Sequence, residues 1–304
     1  MLILAGTTAV GKTEVSIPLA ELLKGEIISA DSRQVYQELV IGTAKPTPEQ
    51  RTRAPHHFVD DKSVRERWTA GDFGREARMR IDAILERGHL PVIVGGSMLY
   101  LRSLIDGFYE DDEEPPWDYS ALREELKERG ETLLYHELEH CDPELARRTN
   151  PQDHHRILRG LAVFRQRGIR LSELQRTDTQ ALAYPFRLYF LHADREQTYQ
   201  RVNARVIDMV SAGLIDEVRQ LYDLGLDESN CNALRTHGYQ EVFPYLRGEV
   251  SREQMIENIQ KAVRHYVKRQ VTWFRHDARV VWIERSYDEP AGDVAERIVL
   301  DFLA

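Results

Sequence analysis

One stretch near the start of the chain, Gly6-Thr7-Thr8-Ala9-Val10-Gly11-Lys12-Thr13, restricts the fold more than any other. The apolar run Met1 to Ala5 precedes it and reads as a short buried strand. Glu14 to Leu23 follows, with Val15, Leu19, Leu22 and Leu23 at helical spacing. A strand, a glycine-bounded turn and Lys-Thr opening a helix form the context of a phosphate-binding loop, or P-loop. Glycine lets the backbone curl so that successive N–H groups point at an anion, and the helix dipole adds to that field. Lys12 is placed to reach terminal phosphate oxygens, and the Thr13 hydroxyl to hold a magnesium ion. The expected fold class is α/β: a P-loop NTPase-like parallel sheet flanked by helices, with an inserted helical lobe. The turn specifies a polyphosphate. It does not say which one.

The next strand, Glu26 to Ala30, ends in Asp31-Ser32, which puts Asp31 in the same crevice as Lys12. A carboxylate there coordinates magnesium or accepts a proton from a substrate; the alternative is an aspartate that caps a turn. Arg33-Gln34-Val35-Tyr36 and Gly42-Thr43-Ala44-Lys45-Pro46 read as a polar connection rich in donors. His56 and His57, adjacent in a strand, point to opposite faces, which disfavours a metal site and favours a structural or substrate-contacting pair. Pro91 to Val94 is a core strand ending in Gly95-Gly96-Ser97. Most P-loop ATPases place a metal-binding aspartate at such an end, so the glycines argue against a motor or signalling NTPase. Bare backbone and the Ser97 hydroxyl suit a closely approaching ligand.

An acidic run, Glu110 to Glu114, closed by Pro115-Pro116, marks the start of an insertion. The expected organisation is a P-loop core of residues 1–110 and 186–304 and a helical insertion of residues 111–185. Within the insertion, Asp153 to Arg167 reads as a helix carrying Arg156 and Arg159, a face that is either solvated or phosphate-binding. Phe186 to His192 returns to an alternating strand, and the helix after it carries Arg201 and Arg205 one turn apart. In phosphoryl-transfer folds such late arginines close over phosphates. The chain carries a formal charge of -9, so any polyanion site needs a local basic patch. Lys261 to His276 supplies one: Lys261, Arg264, Lys268, Arg269 and Arg275, interleaved with Tyr266, Trp273 and Phe274. That segment is either an RNA-binding face or a solvated basic face on a core helix. The two cysteines, Cys141 and Cys231, form no framework, no apolar run approaches a membrane span, and Met1 leads straight into the first strand. A cytoplasmic setting, without membrane contact, is expected.

Assembled in order, these stretches resemble the tRNA dimethylallyltransferase (isopentenylpyrophosphate transferase) family. The resemblance runs through the P-loop, Asp31-Ser32-Arg33-Gln34-Val35-Tyr36, Gly42-Thr43-Ala44-Lys45-Pro46 and Gly95-Gly96-Ser97. It continues through Arg201 to Arg219, His237-Gly238-Tyr239-Gln240-Glu241 and Lys268-Arg269-Gln270-Val271-Thr272-Trp273-Phe274-Arg275. Ser97 stands where the family usually has threonine, and Arg33 where it has a small or apolar residue. The family's Asn-Pro-Gln-Arg is stretched by two residues here, so Arg156 or Arg159 takes the place of its arginine. The resemblance implies a monomer that transfers a dimethylallyl group from dimethylallyl diphosphate to a tRNA adenosine in the anticodon stem-loop, with magnesium as cofactor. It implies diphosphate contacts from Gly6 through Thr13, Arg156 and Arg205. Asp31 is the implied base, and Ser97 donates toward the diphosphate or positions Asp31. Ser32 and Gln34 join Asp31 and the basic segment in contacting tRNA. The rival classes are a small-molecule kinase using ATP, and a non-catalytic RNA-binding or nucleotide-sensing protein.

Overall fold

The structure, a computed structural model, describes residues 1–108, 119–177 and 180–304; the acidic run before Pro115-Pro116 lies outside them. The chain divides into two compact units, Met1–Leu104 with Leu182–Ala304, and Ile105–Ala181.

In the first unit, Leu2–Gly6 (β1), Gly25–Ala30 (β2), His56–His57 (β3), Leu90–Gly95 (β4), Arg187–His192 (β5) and Val280–Glu284 (β6) form one sheet. All pairings are parallel and the order is β3-β2-β4-β1-β5-β6. Such a sheet is covered on both faces, and β1 and β2 are accordingly buried along their whole length. The same cover explains β5, whose sequence reads as alternating: Leu188, Tyr189, Phe190 and Leu191 are all buried. The connection out of β1 passes β4 to reach β2, whereas the one out of β4 returns on the other side to β5. The carboxyl ends of β1 and β4 therefore border the crevice where α/β sheets bind ligands. The helix Lys12–Leu23 packs on one face with the C-terminal helix Ala291–Leu303, whose Val294, Ala295 and Ile298 join its core.

At the opposite end of β2, Glu26 is 4% exposed and accepts hydrogen bonds from Arg87 (2.8 Å), His89 (2.7 Å) and His57 (2.7 Å). His56 turns away and donates from Nδ1 to the Ala54 carbonyl at 2.7 Å, so the histidine pair splits as its alternation requires. Burial pushes the Glu26 carboxyl up, but the bonds from Arg87, His89 and His57 outweigh it and hold the group at about 2. An unfolded glutamate titrates near 4.3. The stabilisation is thus complete above that value and is lost as pH falls through about 2. Glu26→Gln is expected to cost about 1–3 kcal/mol at neutral pH. Urea melts at pH 7 and pH 3 check this: the gap between variant and wild type narrows at the lower pH.

The second unit is helical: Ser120–Arg129, Glu131–Cys141, Pro143–Arg147, His154–Arg167 and Leu171–Thr177. Leu134, Leu138, Ile157, Leu161 and Val163 form its core. Asp142, fully buried, caps Pro143–Arg147 through the Leu145 N–H and accepts from both the N–H and the hydroxyl of Ser172.

Candidate active site

The turn after β1 has two residues in the left-handed region, Ala9 (φ 65°) and Gly11 (φ 93°). Gly11 has a second reason to be glycine: a Cβ there would stand 1.6 Å from a guanidinium nitrogen of Arg285. That arginine, 5% exposed, donates to the carbonyls of Val10 (2.9 Å) and Gly11 (3.3 Å) and to the Glu14 carboxylate (2.8 Å). It braces the turn on its carbonyl side, which leaves the N–H side for an anion. Not every N–H of Gly6 through Thr13 is available, however. Thr7 donates to the Leu191 carbonyl, Val10 to the Thr7 carbonyl, and Thr8 to the Gln270 side chain at 3.0 Å. The cradle is thereby narrowed to Ala9 and to Gly11, Lys12 and Thr13, whose N–H groups open the helix without an intrahelical acceptor.

Lys12, Asp31, Ser97 and Arg205 converge on one cleft of about 240 Å³, together with Ser32. Lys12 Nζ bonds the carbonyls of Gly6 (3.1 Å) and Thr7 (2.9 Å). Burial lowers its pKa to about 8; Asp31 opposes that shift and Arg205 adds to it. Burial also lowers Arg205, and Asp31 again opposes. The three charges therefore sense one another across the cleft. Asp31 Oδ1 accepts from the N–H groups of Arg33 (2.9 Å) and Gln34 (3.3 Å), so one side-chain oxygen closes a turn while the group as a whole lines the cleft. Its two readings coexist. Thr13 borders a smaller adjoining cavity of about 40 Å³ with Lys12, Ser16, Asp31 and Gln34.

Several expected ligand contacts are spent inside the protein. The Gln34 carboxamide accepts from Ser29 (2.9 Å) and donates to the carbonyls of Thr43 and Ala44 (3.3 Å each), so in this structure it shapes the 42–45 loop. Lys45 donates to the Tyr36 carbonyl and pairs with Asp60. Gly42 has no room for a side chain, since a Cβ would lie 2.3 Å from the Tyr239 ring. The Tyr239 hydroxyl accepts from the Gly42 N–H and donates to Glu217, which in turn accepts from the Ile41 N–H. Arg201 sits over the Tyr287 ring at 4.3 Å, away from the cleft's lining. Arg156, in the second unit, is exposed and pairs with Asp153 at 3.2 Å; Arg159, one turn on, is half-buried.

The basic segment lies within the helix Arg252–Arg275. Lys261, Lys268, Arg269 and Arg275 are exposed, whereas Arg264 donates to the Asn203 side chain at 2.5 Å. Its aromatics do not share the exposed face. Phe274 is buried against Phe190, Arg102 lies 5.9 Å from the Trp273 ring, and Tyr266 turns into the cleft to donate to the Gly96 carbonyl at 3.1 Å. Seven-residue spacing sets Lys261, Lys268 and Arg275 on one side, and the aromatics fall on the side that packs. Sequence reasoning named Tyr266 only as an aromatic of the basic segment and missed its place in the cleft, and it assigned no role to Gln270, on the same inner side of this helix, or to Arg285 beyond β6. The first two sat inside a segment read for its charge; a lone amide among cations was the available signal.

The model of the IPP transferase family matches residues 34–277. A tRNA dimethylallyltransferase of Geobacillus thermodenitrificans is 40% identical over 299 residues, covering 98% of this chain and 94% of that protein. One from Salinibacter ruber is 40% identical over 282 residues, covering 93% and 87%. Among solved structures, a tRNA isopentenylpyrophosphate transferase from Bacillus halodurans superposes with a TM-score of 0.73 at 35% identity, covering 99% of this chain and 96% of that one. A eukaryotic dimethylallyltransferase acting on tRNA gives a TM-score of 0.81 at 29% identity, over 100% of this chain and 79% of that one. The P-loop, the Asp31 turn and the Ser97 loop thus stand in a chain that belongs to the IPP transferase family, the tRNA dimethylallyltransferases.

Proposed function

We propose that this enzyme transfers a dimethylallyl group from dimethylallyl diphosphate to the exocyclic N6 of the adenosine beside the anticodon of a tRNA. The observation that carries this reading is the single cleft in which Lys12 and Arg205, cations for a leaving diphosphate, face Asp31, an acceptor for the amine's proton. Diphosphate departs as a polyanion, so charge placed on its oxygens counts most as the carbon–oxygen bond breaks. The free N–H groups of the turn, Lys12 and Arg205 supply that charge. An adenine amine becomes a competent nucleophile as its proton is taken, which is the role of the Asp31 carboxylate. Ser97, at the cleft wall after β4, is placed to donate to the diphosphate.

A magnesium ion fits the donor set: hydroxyls of Thr13 and Ser16 and the Asp31 carboxylate border the small cavity. Among the described residues no cluster of three or more His, Cys, Asp or Glu is placed to hold a metal. Thr13, Ser16 and Asp31 would hold such an ion, and so small a set of protein oxygens suits magnesium, which commonly keeps several waters. When bound, it neutralises charge developing on the leaving group. Turnover of labelled dimethylallyl diphosphate against ATP, with and without tRNA, tests the reading. Prenyl transfer that requires tRNA supports it, and ATP-dependent phosphorylation overturns it in favour of a kinase. The family match gives that rival no support. Among the described residues no helix is long and apolar enough to cross a membrane.

The exposed cations of the helix Arg252–Arg275 are the surface offered to the tRNA backbone. Each phosphate neutralised releases condensed counterions, so Lys268→Ala with Arg269→Ala is expected to weaken tRNA binding. It should also flatten the slope of log affinity against log salt by about one to two units. Diphosphate binding stays near wild type. Titrations at several salt concentrations, with melting curves in parallel, check this; an unchanged slope in a normally melting variant removes the segment from the RNA interface.

A further inference from the structure

We propose that Glu217 and Tyr239 are positioning residues that decide which nucleophile meets the dimethylallyl carbon: they hold the 40–45 loop as a wall that keeps water from competing with the adenine amine. The proposal rests on the reading of the cleft as the site of prenyl transfer. Two of the motif stretches, Gly42 to Pro46 and His237 to Glu241, meet at one contact. Three successive N–H groups at the tip of the loop converge on one pair of acceptors. Val40 (3.2 Å) and Ile41 (2.9 Å) donate to the Glu217 carboxylate, and Gly42 (3.1 Å) donates to the Tyr239 hydroxyl. That hydroxyl donates in turn to Glu217 at 2.6 Å. A run of N–H groups of this kind makes a concavity for an anion, and here the protein fills it with its own carboxylate. Tyr239 is fully buried, and its ring lies so close to Gly42 that a Cβ there would stand 2.3 Å away. On the other side, the Gln34 amide donates to the carbonyls of Thr43 and Ala44 while the Gln34 N–H donates to Asp31. The loop is therefore fastened at its tip by Glu217 and Tyr239 and at its base to the turn that carries the proton acceptor.

This loop stands between two spaces. Gly42 and Thr43 line the cleft, whereas Val40, Ile41, Ala44 and Lys45 line a groove of about 800 Å³ on the outer side. Arg205 and Met209 border both, so the loop and these two side chains form the partition. Val40 is 52% exposed, which sets the groove in contact with solvent. Glu217 and Tyr239 line neither space, and so act only through the loop they hold. As diphosphate departs, positive charge gathers on the allylic carbon, which bonds to whichever nucleophile lies beside it. With adenine N6, a C–N bond replaces the C–O bond that breaks. With water, a bond to the water oxygen replaces it, diphosphate keeps the electron pair of the broken bond, and one water proton is released. The product is then dimethylallyl alcohol. Exclusion of water from a closed site is what suppresses a side reaction of this kind.

The experiment is a single turnover of labelled dimethylallyl diphosphate with tRNA, in which dimethylallyl alcohol and prenylated adenosine are both counted. Wild type, Tyr239→Phe, Glu217→Ala and, as a control, Glu26→Gln at the far end of β2 are compared, with melting curves in parallel. The ratio of the two products is independent of how much protein is active, so a general loss of structure lowers both and leaves the ratio alone. Wild type is expected to give the alcohol as the minor product. Tyr239→Phe and Glu217→Ala should each raise the ratio of alcohol to prenylated adenosine at least about fivefold, the scale set by losing one buried hydrogen bond. Glu26→Gln should leave it unchanged. An unchanged ratio in either loop variant that melts as a folded protein overturns the proposal, as does an equal rise in Glu26→Gln. Wild type giving the alcohol as its main product overturns it as well. Wild type giving no prenylated adenosine defeats the reading of the cleft, and the proposal with it. Should Tyr239→Phe fail to fold, Glu217→Ala and the wild-type ratio decide the question.

Discussion

Lys12→Ala is expected to slow the single-turnover transfer at saturating substrates by at least about a hundredfold, a loss of about 3 kcal/mol of transition-state stabilisation. The ammonium is buried against the Gly6 and Thr7 carbonyls, and burial has already lowered its pKa to about 8 despite the nearby Asp31. A diphosphate arriving there restores the charged form, and the interaction strengthens as charge collects on the leaving oxygens. The same numbers fix a pH dependence. In the free enzyme Lys12 is charged below about 8 and neutral above it, so affinity for dimethylallyl diphosphate falls as pH rises through that value. The variant has no such group, and that step disappears from its profile. Rapid-quench measurements on both proteins, with binding titrations between pH 6 and pH 10, decide the matter. A near-normal rate removes the P-loop from the leaving-group site.

What the chain shows on its surface and what it hides follow from distance along it. The P-loop, the Asp31 turn and the strand ends were legible because each is a local pattern: an apolar run, a glycine, then a polar residue at the carboxyl end of a strand. Gln270, Arg285 and Tyr239 were not. Gln270 reaches Thr8 across 262 positions, Arg285 reaches Val10 across 275, and Tyr239 reaches Gly42 across 197. Nothing in the composition around an arginine after a short edge strand announces that its guanidinium fills the space beside Gly11. β6 itself carries a short apolar run, Val280 to Ile283, but it is only partly buried, and no glycine-bounded turn follows it to mark Arg285 as part of a site. Gln34 shows the converse. Its motif marks it as functional, yet both ends of its amide are bonded within the protein, and the sequence does not distinguish a side chain that reads a ligand from one that builds the wall. The aromatics near Lys268 were ambiguous for the same reason. Charge spacing gave the exposed side, but which residues the sheet and the cleft would claim depended on elements far away.

Asp31→Asn separates the two jobs that the structure gives this residue. The turn depends on Oδ1 accepting from the Arg33 and Gln34 N–H groups, and an asparagine oxygen still accepts both, though without the carboxylate's charge. The backbone and the 42–45 loop should therefore stay in place, with melting close to wild type. What is lost is the charge and the capacity to take a proton from the adenine amine. The expected rate loss is roughly a hundredfold or more, with tRNA affinity little changed. A second consequence follows from the same charge. Asp31 raises the pKa of Lys12 against its burial, so without it the lysine loses its proton at a lower pH. The alkaline fall in diphosphate affinity should accordingly begin earlier in Asp31→Asn than in wild type. Rate and binding profiles measured together distinguish the roles. A rate within a few-fold of wild type refutes the base assignment, and a parallel loss of tRNA affinity makes Asp31 a binding residue. A large rate loss with tRNA binding intact and the alkaline limb displaced to lower pH is the signature of a carboxylate that accepts the proton and also holds Lys12 charged for the diphosphate.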